Sequence, residues 1–169
     1  MVKIVQKENK VLHQPAKEVP KELFGTDKLK KIITDMSTAL EREDDGVALA
    51  APQINLPLRI FVVSGKIFTK EDEREPRPDL IFINPTITSL SKTKEEMEEG
   101  CLSVRWLYGQ VKRSTKVTVS ACDINGKKFT RSGSGLLAQI FQHETDHLDG
   151  VLFTEKAKGV REYTPPHQD

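Results

Sequence analysis

Cysteine is scarce in this 169-residue chain, with Cys101 and Cys122 the only two. Two are too few for a disulfide scaffold. The expected compartment is therefore a reducing one, the cytoplasm, and a cysteine that matters is a ligand or nucleophile rather than a staple. Long apolar runs are missing too. None approaches the roughly 20 residues that a bilayer-spanning helix needs, so no membrane partner is expected. The opening Met1-Val-Lys-Ile-Val-Gln-Lys7 has neither the apolar stretch of a secretory signal nor the Arg/Ser richness of a transit peptide. No sign of charge dominates: Lys+Arg 26 against Asp+Glu 25 leaves a formal net charge of +1. That balance gives no global reason to expect a nucleic-acid partner, and no specific nucleic-acid site is evident. No internal repeat is present.

What is present suits one compact domain over residues 1–169. A hydrophobic fraction of 37% is enough for a single core, and a charged fraction of 30% implies a well-solvated surface. Residues 3–24 are polar, carry Pro15 and Pro20, and read as an extended lead-in. An amphipathic helix is expected from about Asp27 to Glu43. Leu29, Ile32, Ile33, Met36 and Leu40 share one face of it, with Thr26 or Asp27 as the cap. Residues 58–63 read as a strand, and 80–83 as another that continues toward Ile87. Residues 66–79, charged and carrying two prolines, read as a surface loop. Residues 115–121 and 127–131 form an expected hairpin around Asn125-Gly126. Cys122, at the end of its first strand, reads as a small buried side chain. A second helix is expected from about Gly135 to Leu148, with Ser132 or Ser134 near its start and Gly150 past its end. Residues after about 154, with Pro165-Pro166, read as a loose tail. The fold class is α+β, with short, mostly antiparallel strands around a helix that carries an HExxH motif.

That motif is His143-Glu144-Thr145-Asp146-His147. Histidines four residues apart project from one side of a helix, one turn apart, and can reach a single metal ion. Leu136, Ile140, His143 and His147 form one row, so both histidines extend the apolar stripe inward. Glu144 continues the adjacent row of Leu137, Phe141 and Leu148. Three ionisable groups on a buried face are costly unless something pairs with them, and a divalent cation does so. The bland reading is two core histidines beside a surface glutamate, but ordinary helices rarely turn His, Glu and His toward their core. A catalytic metal takes three protein ligands and keeps a position for water. Cys101, in Glu99-Gly100-Cys101-Leu102-Ser103, is the best-placed third ligand, although a structural cysteine is the other reading of it. Cys122, His13 and His167 have contexts that offer less. Glu99 can accept the outer N–H of a ligand histidine and fix its tautomer, or it can be a solvated carboxylate. Gln142 and Asp146 fall on the polar side of the helix and are expected to tie it to neighbouring strands.

Gly46-Val-Ala-Leu-Ala-Ala-Pro-Gln53, Glu99-Gly-Cys-Leu-Ser103 and Gln142-His-Glu-Thr-Asp-His-Leu-Asp-Gly150 resemble, in order, the three signature motifs of peptide deformylases. The similarity covers nearly the whole chain, from the first helix to Leu152-Phe153. It implies hydrolysis of the N-formyl group from the formyl-methionine of nascent polypeptides. It also implies a divalent metal, Fe²⁺ in the cell, at Cys101, His143 and His147. Such a cation lowers the pKa of water to near neutrality. Glu144 is then the proton acceptor and donor. The Gln53 amide and the Leu102 backbone N–H are the oxyanion donors, each typically contributing about 100- to 1,000-fold in rate. Formyl-methionyl nascent peptides are the implied partners, with transient ribosome contact.

Two departures touch the substrate groove of Val47, Ala48 and Tyr108. Ala48 stands where the family has a second glycine, and its β-carbon narrows the groove. Tyr108 stands roughly where the family has an arginine, in a stretch Val104-Arg-Trp-Leu-Tyr108 that lacks the family's proline-containing turn. Trp106 and Tyr108 either line the groove or pack on the surface. The alternatives are a metallo-amidase acting on another small N-acyl group and a non-catalytic, metal-stabilised module that docks on ribosomes. Thiolate plus two imidazoles suits Fe²⁺, Zn²⁺, Ni²⁺ or Co²⁺ alike.

Overall fold

The computed structural model describes residues 1–166, so His167 lies outside the described residues. Helix α1 spans Asp27–Glu41 and is followed by strands β1 (Ala48–Ala50), β2 (Ile60–Val63), β3 (Leu80–Leu90) and β4 (Lys94–Glu99). Strands β5 (Leu107–Ser114), β6 (Lys116–Cys122) and β7 (Lys128–Ser134) come next, then helix α2 (Gly135–Leu148) and strand β8 (Lys158–Glu162). One sheet has five strands in the order β1-β2-β3-β6-β7, and a second has three in the order β4-β5-β8. Every strand pairing within them is antiparallel. This is the expected α+β class. Among the described residues, no helix is long and apolar enough to cross a membrane.

The larger sheet is the middle layer, and β2 shows why. Its four residues are all buried, and they alternate in what they touch. Ile60 and Val62 belong to a cluster with Leu29, Ile33 and Met36 of α1. Phe61 and Val63 belong to another with Ala138, Ile140 and Phe141 of α2. Period-2 side chains therefore bury one helix on each face. Helix α1 forms where its stripe predicts, capped by the Thr26 hydroxyl, which accepts the Leu29 N–H at 3.3 Å. On the other face Phe61 and Phe82 stack at 4.7 Å between centroids, and Phe141 meets Phe82 edge-on at 5.3 Å. Burying a ring such as Phe141 contributes roughly 1.5–3 kcal/mol. That packing fixes the rotation of α2, and with it the direction in which its histidines point.

The hairpin at residues 115–131 forms as β6 and β7, and its turn is closed by Asp123. The Asp123 carboxylate accepts the N–H groups of Asn125 and Lys127, and Gly126 sits at φ +84°. Three strands lie outside the elements expected from sequence. The glutamate-rich 94–99 and the segment 107–114 are strands, and together with 158–162 they make the whole second sheet. The segment after residue 154, expected as a loose tail, instead lays β8 along β5 from Leu107↔Glu162 to Gln110↔Lys158, with a register shift between Tyr108 and Gln110. All five β8 side chains are exposed, so the strand carries no buried apolar signature. Leu136, expected on the interior row of α2, is 50% exposed. The row turns inward only from Ile140, because Leu136 lies at the mouth of a cavity.

Candidate metal centre

Three segments that are far apart in sequence meet at the inner side of α2. The helix supplies His143, Glu144 and His147. Its C-terminal end is held by Arg59, which donates to the Leu148 carbonyl and to Asp149, each at 3.0 Å. The turn after β4 supplies Cys101. The short helical turn Ala51–Ile54 after β1 supplies Gln53. One ligand atom from each of Cys101, His143 and His147 lies within 4.8 Å of the others, and Cys101 Sγ is 3.2 Å from His147 Nε2. These three residues can hold a metal ion. Cys122 is on β6, packed against the α1-side cluster, and His13 is exposed and bonded to the Lys7 carbonyl.

The surrounding hydrogen bonds fix these atoms in place. Glu99 is buried, 4% exposed, with Oε1 2.8 Å from His143 Nδ1. This leaves Nε2 as the His143 nitrogen on the Cys101 side. Arg113, equally buried, grips both Glu99 oxygens at 2.7 and 2.8 Å and reaches Asp146 of α2 at 2.7 Å. Lys156 closes the chain on the other Asp146 oxygen at 3.0 Å. Glu99 is therefore not solvated, and its fork-to-fork pair with Arg113 ties β4, β5 and α2 into one frame. Gln142 bonds both the N–H and the C=O of Ser114, again joining α2 to β5. Gln53 Oε1 accepts the Ala50 N–H at 2.9 Å, which orients the amide. Its Nε2 then donates to Ser103 Oγ at 3.1 Å and lies 3.6 Å from Cys101 Sγ. From the N-terminal lead-in, Val5 N–H donates to the Gln53 carbonyl and Gln6 Nε2 to the Leu102 carbonyl.

Burial and close pairing shift the groups of the site in opposite directions. Burial raises the Glu99 carboxyl, but the Arg113 hydrogen bonds, followed by His143, outweigh it and hold it at about 2. Burial lowers His143, yet hydrogen bonds to Cys101 and Glu99 raise it well above the ordinary histidine range. Burial, with His143 alongside, drives His147 well below that range, into the neutral form in which imidazole ligates. Burial lifts Glu144 to about 7. Glu144 Oε2 and His147 Nδ1 are buried with no hydrogen-bond partner among the described residues. Thiol, two imidazoles and an unpartnered carboxylate oxygen form a donor set suited to a divalent metal with a water beside it.

The site opens into a cavity of about 310 Å³. Cys101, His143, Glu144 and Gln53 line its inner part. Val47, Ala48, Leu102, Trp106, Tyr108 and Leu136 are among the residues that line the rest. Tyr108 packs against Gly100, where an added β-carbon would come within 2.6 Å of its ring, so glycine there is a condition of this wall. Every residue singled out from sequence as ligand, acid–base, oxyanion donor or groove lining borders this cavity except His147, which is itself buried. Arg113, Ser103, Val5 and Gln6 were missed. An arginine flanked by Lys112 and Ser114 gives no local sign that it points inward.

The family model described as polypeptide deformylase matches residues 1–162. A chloroplastic peptide deformylase 1A of Solanum lycopersicum is 39% identical over 165 residues, covering 92% of this chain and 59% of that protein. A peptide deformylase of Desulforudis audaxviator is 37% identical over 157 residues, covering 93% of this chain and 94% of that one. A Met-Ala-Ser-bound crystal structure of the class I type b peptide deformylase of Acinetobacter baumannii superposes with a TM-score of 0.81. It is 29% identical and covers 92% of this chain and 98% of its own. The family match extends beyond the three motifs, from the lead-in that braces Gln53 through β8, and this chain belongs to the polypeptide deformylase family.

Proposed function

We propose that this enzyme hydrolyses the N-formyl group from the N-terminal formyl-methionine of nascent polypeptides, releasing formate, with residues 1–169 acting as one catalytic domain. One observation carries the reading. A Cys/His/His ligand set and a buried glutamate of raised pKa lie together at a cavity whose lining mixes small and apolar side chains with Trp106, Tyr108 and a few charged groups. Cys101, His143 and His147 hold the metal, for which Fe²⁺ in the cell is our assignment, with Zn²⁺, Ni²⁺ and Co²⁺ chemically acceptable. A bound divalent ion supplies Lewis acidity and brings the pKa of water to near 7.

The remaining work belongs to side chains and backbone. Glu144 takes a proton from the attacking water and delivers it to the α-amine as the C–N bond breaks. A carboxyl poised near 7 suits both directions of transfer. The Gln53 Nε2 and Leu102 N–H donate to the formyl oxygen as negative charge develops on it. Val47, Ala48 and Tyr108 receive the peptide. Glu99, set by Arg113, orients His143. The partners in this reading are formyl-methionyl chains as the ribosome delivers them, and two free cysteines are in keeping with a reducing cytoplasm.

The direct test is release of formate against release of acetate from matched formyl-Met and acetyl-Met peptides by metal-loaded enzyme. Formate release should exceed acetate release by orders of magnitude. Comparable rates would point to a broader amidase, and no release of either to a binding module. The frame around His143 makes a separate prediction. Glu99→Ala should weaken metal affinity by about 10- to 100-fold, as loss of a carboxylate behind a ligand histidine does elsewhere. Arg113→Met should act in the same direction. Chelator competition measures both, and unchanged affinity in the two variants would remove Glu99 from this role.

A further inference from the structure

We propose that Arg105 is a positioning residue for the substrate, tying the two walls of the cavity together through Glu43 and Asp45 and holding the Trp106 ring as part of the peptide-contacting wall. The inference rests on the deformylase reading of the cavity. One wall is the loop between α1 and β1, which carries Glu43, Asp45 and Val47. The other is the turn between β4 and β5, which carries Cys101, Leu102, Arg105 and Trp106. Arg105 Nη1 lies 2.6 Å from Asp45 Oδ2, and Nη2 lies 3.1 Å from Asp45 Oδ1 and 2.7 Å from Glu43 Oε2. The contact joins residues 60 apart in the chain. The guanidinium also sits 4.4 Å from the centre of the Trp106 ring, and the Arg105 backbone N–H reaches Gln6 Oε1 at 3.4 Å.

Exposed ion pairs usually contribute little. This one differs in three respects. Its arginine side chain is only 19% exposed, its pairing with Asp45 is bidentate, and a second carboxylate shares the same guanidinium. The Arg105 hydrogen bond holds the Asp45 carboxyl below its ordinary range, so the pair persists in mild acid. Both terminal nitrogens are committed to the opposite wall, so Arg105 is not placed to bind a substrate carboxylate. Its effect is on wall geometry. Asp45, Arg105 and Trp106 all border the cavity, so a fixed Arg105 sets how far the walls stand apart and presents Trp106 in one orientation before substrate arrives. Preorganisation of this kind lowers the ordering cost of binding and leaves the chemical step alone. The expected signature is therefore in KM and not in kcat.

Trp106 is the only tryptophan in the chain, so its fluorescence reports this wall without any assay of activity. Arg105→Met keeps the aliphatic stem but cannot reach across, and the double variant Glu43→Gln/Asp45→Asn breaks the same tether from the other side. Both are compared with wild type as metal-loaded enzyme. Each should raise KM for a formyl-Met tripeptide by roughly 3- to 30-fold, with kcat within about 3-fold, and should make Trp106 more accessible to acrylamide quenching. Wild-type quenching and KM in both variants would overturn the proposal, as would a loss confined to kcat. If one variant does not fold, the other decides. Absence of formate release from wild type would instead overturn the deformylase reading, and the quenching comparison would still judge the tether.

Discussion

Glu144→Gln is expected to keep its metal and its affinity for a formyl-Met peptide while losing kcat by about 100- to 10,000-fold. The expectation follows from where the carboxylate sits. Glu144 lies one residue after the proposed ligand His143 and is buried, and its Oε2 has no hydrogen-bond partner among the described residues. A buried carboxylate oxygen without a partner is costly, and its burial is reasonable where the same atom must exchange a proton with substrate and water. The sign of the pKa shift agrees. Burial raises the carboxyl to about 7, so its proton is gained and lost close to neutral pH, as a residue that is first base and then acid requires. Glutamine preserves size and hydrogen-bonding reach and removes only the proton acceptor. Metal analysis, peptide binding and single-turnover formate release separate the three properties. Near-native turnover in Glu144→Gln with full metal content would sink the mechanism, since no other residue in the three motifs is as well placed to act as base.

The second large effect concerns the ligands. Cys101→Ala, His143→Ala and His147→Ala should each lose most of the bound metal and with it formate release, whereas Cys122→Ala should keep both. Three donors converge within 4.8 Å, and removing one leaves two, too few to hold a catalytic ion firmly. Cys122 is the matched control, because it is the other free thiol and it lies on β6 in a different cluster. Stripping wild type with a chelator should abolish turnover, and adding a divalent metal should restore it. Thermal melting gives a reading that does not depend on activity. A ligand that binds only the folded state stabilises it by about 4 kcal/mol at 1,000 times its Kd, so loaded wild type should melt well above its apo form, while the three ligand variants should show little difference. Metal loss in Cys122→Ala with retention in Cys101→Ala would reverse the assignment.

Where apolar residues recur at a fixed period, the amino-acid sequence alone determined the element. Leu29, Ile33, Met36 and Leu40 mark α1, the row ending in His143 and His147 marks α2, and Asn125-Gly126 marks the turn between β6 and β7. The motif residues were legible for a related reason. His143 and His147 are one helical turn apart, so their convergence is local geometry. Cys101 was put forward from its glycine-flanked context against the few other cysteines and histidines, and Gln53 came through motif resemblance. Tertiary structure alone decided the second sheet and the frame it supplies. Of the inward positions of β5, Gly109 has no side chain and Arg113 carries a charge, so no apolar alternation marks the strand. β4 is mostly exposed glutamate and lysine, and β8 is exposed throughout. Those strands hold because Glu99 meets Arg113 and Arg113 meets Asp146, pairings 14 and 33 residues apart in the chain. The Arg105 tether, 60 residues from Asp45, is of the same kind. Periodicity reveals which side chains leave water because they are apolar. A charge can leave water only with a partner, and that partner is supplied by the fold.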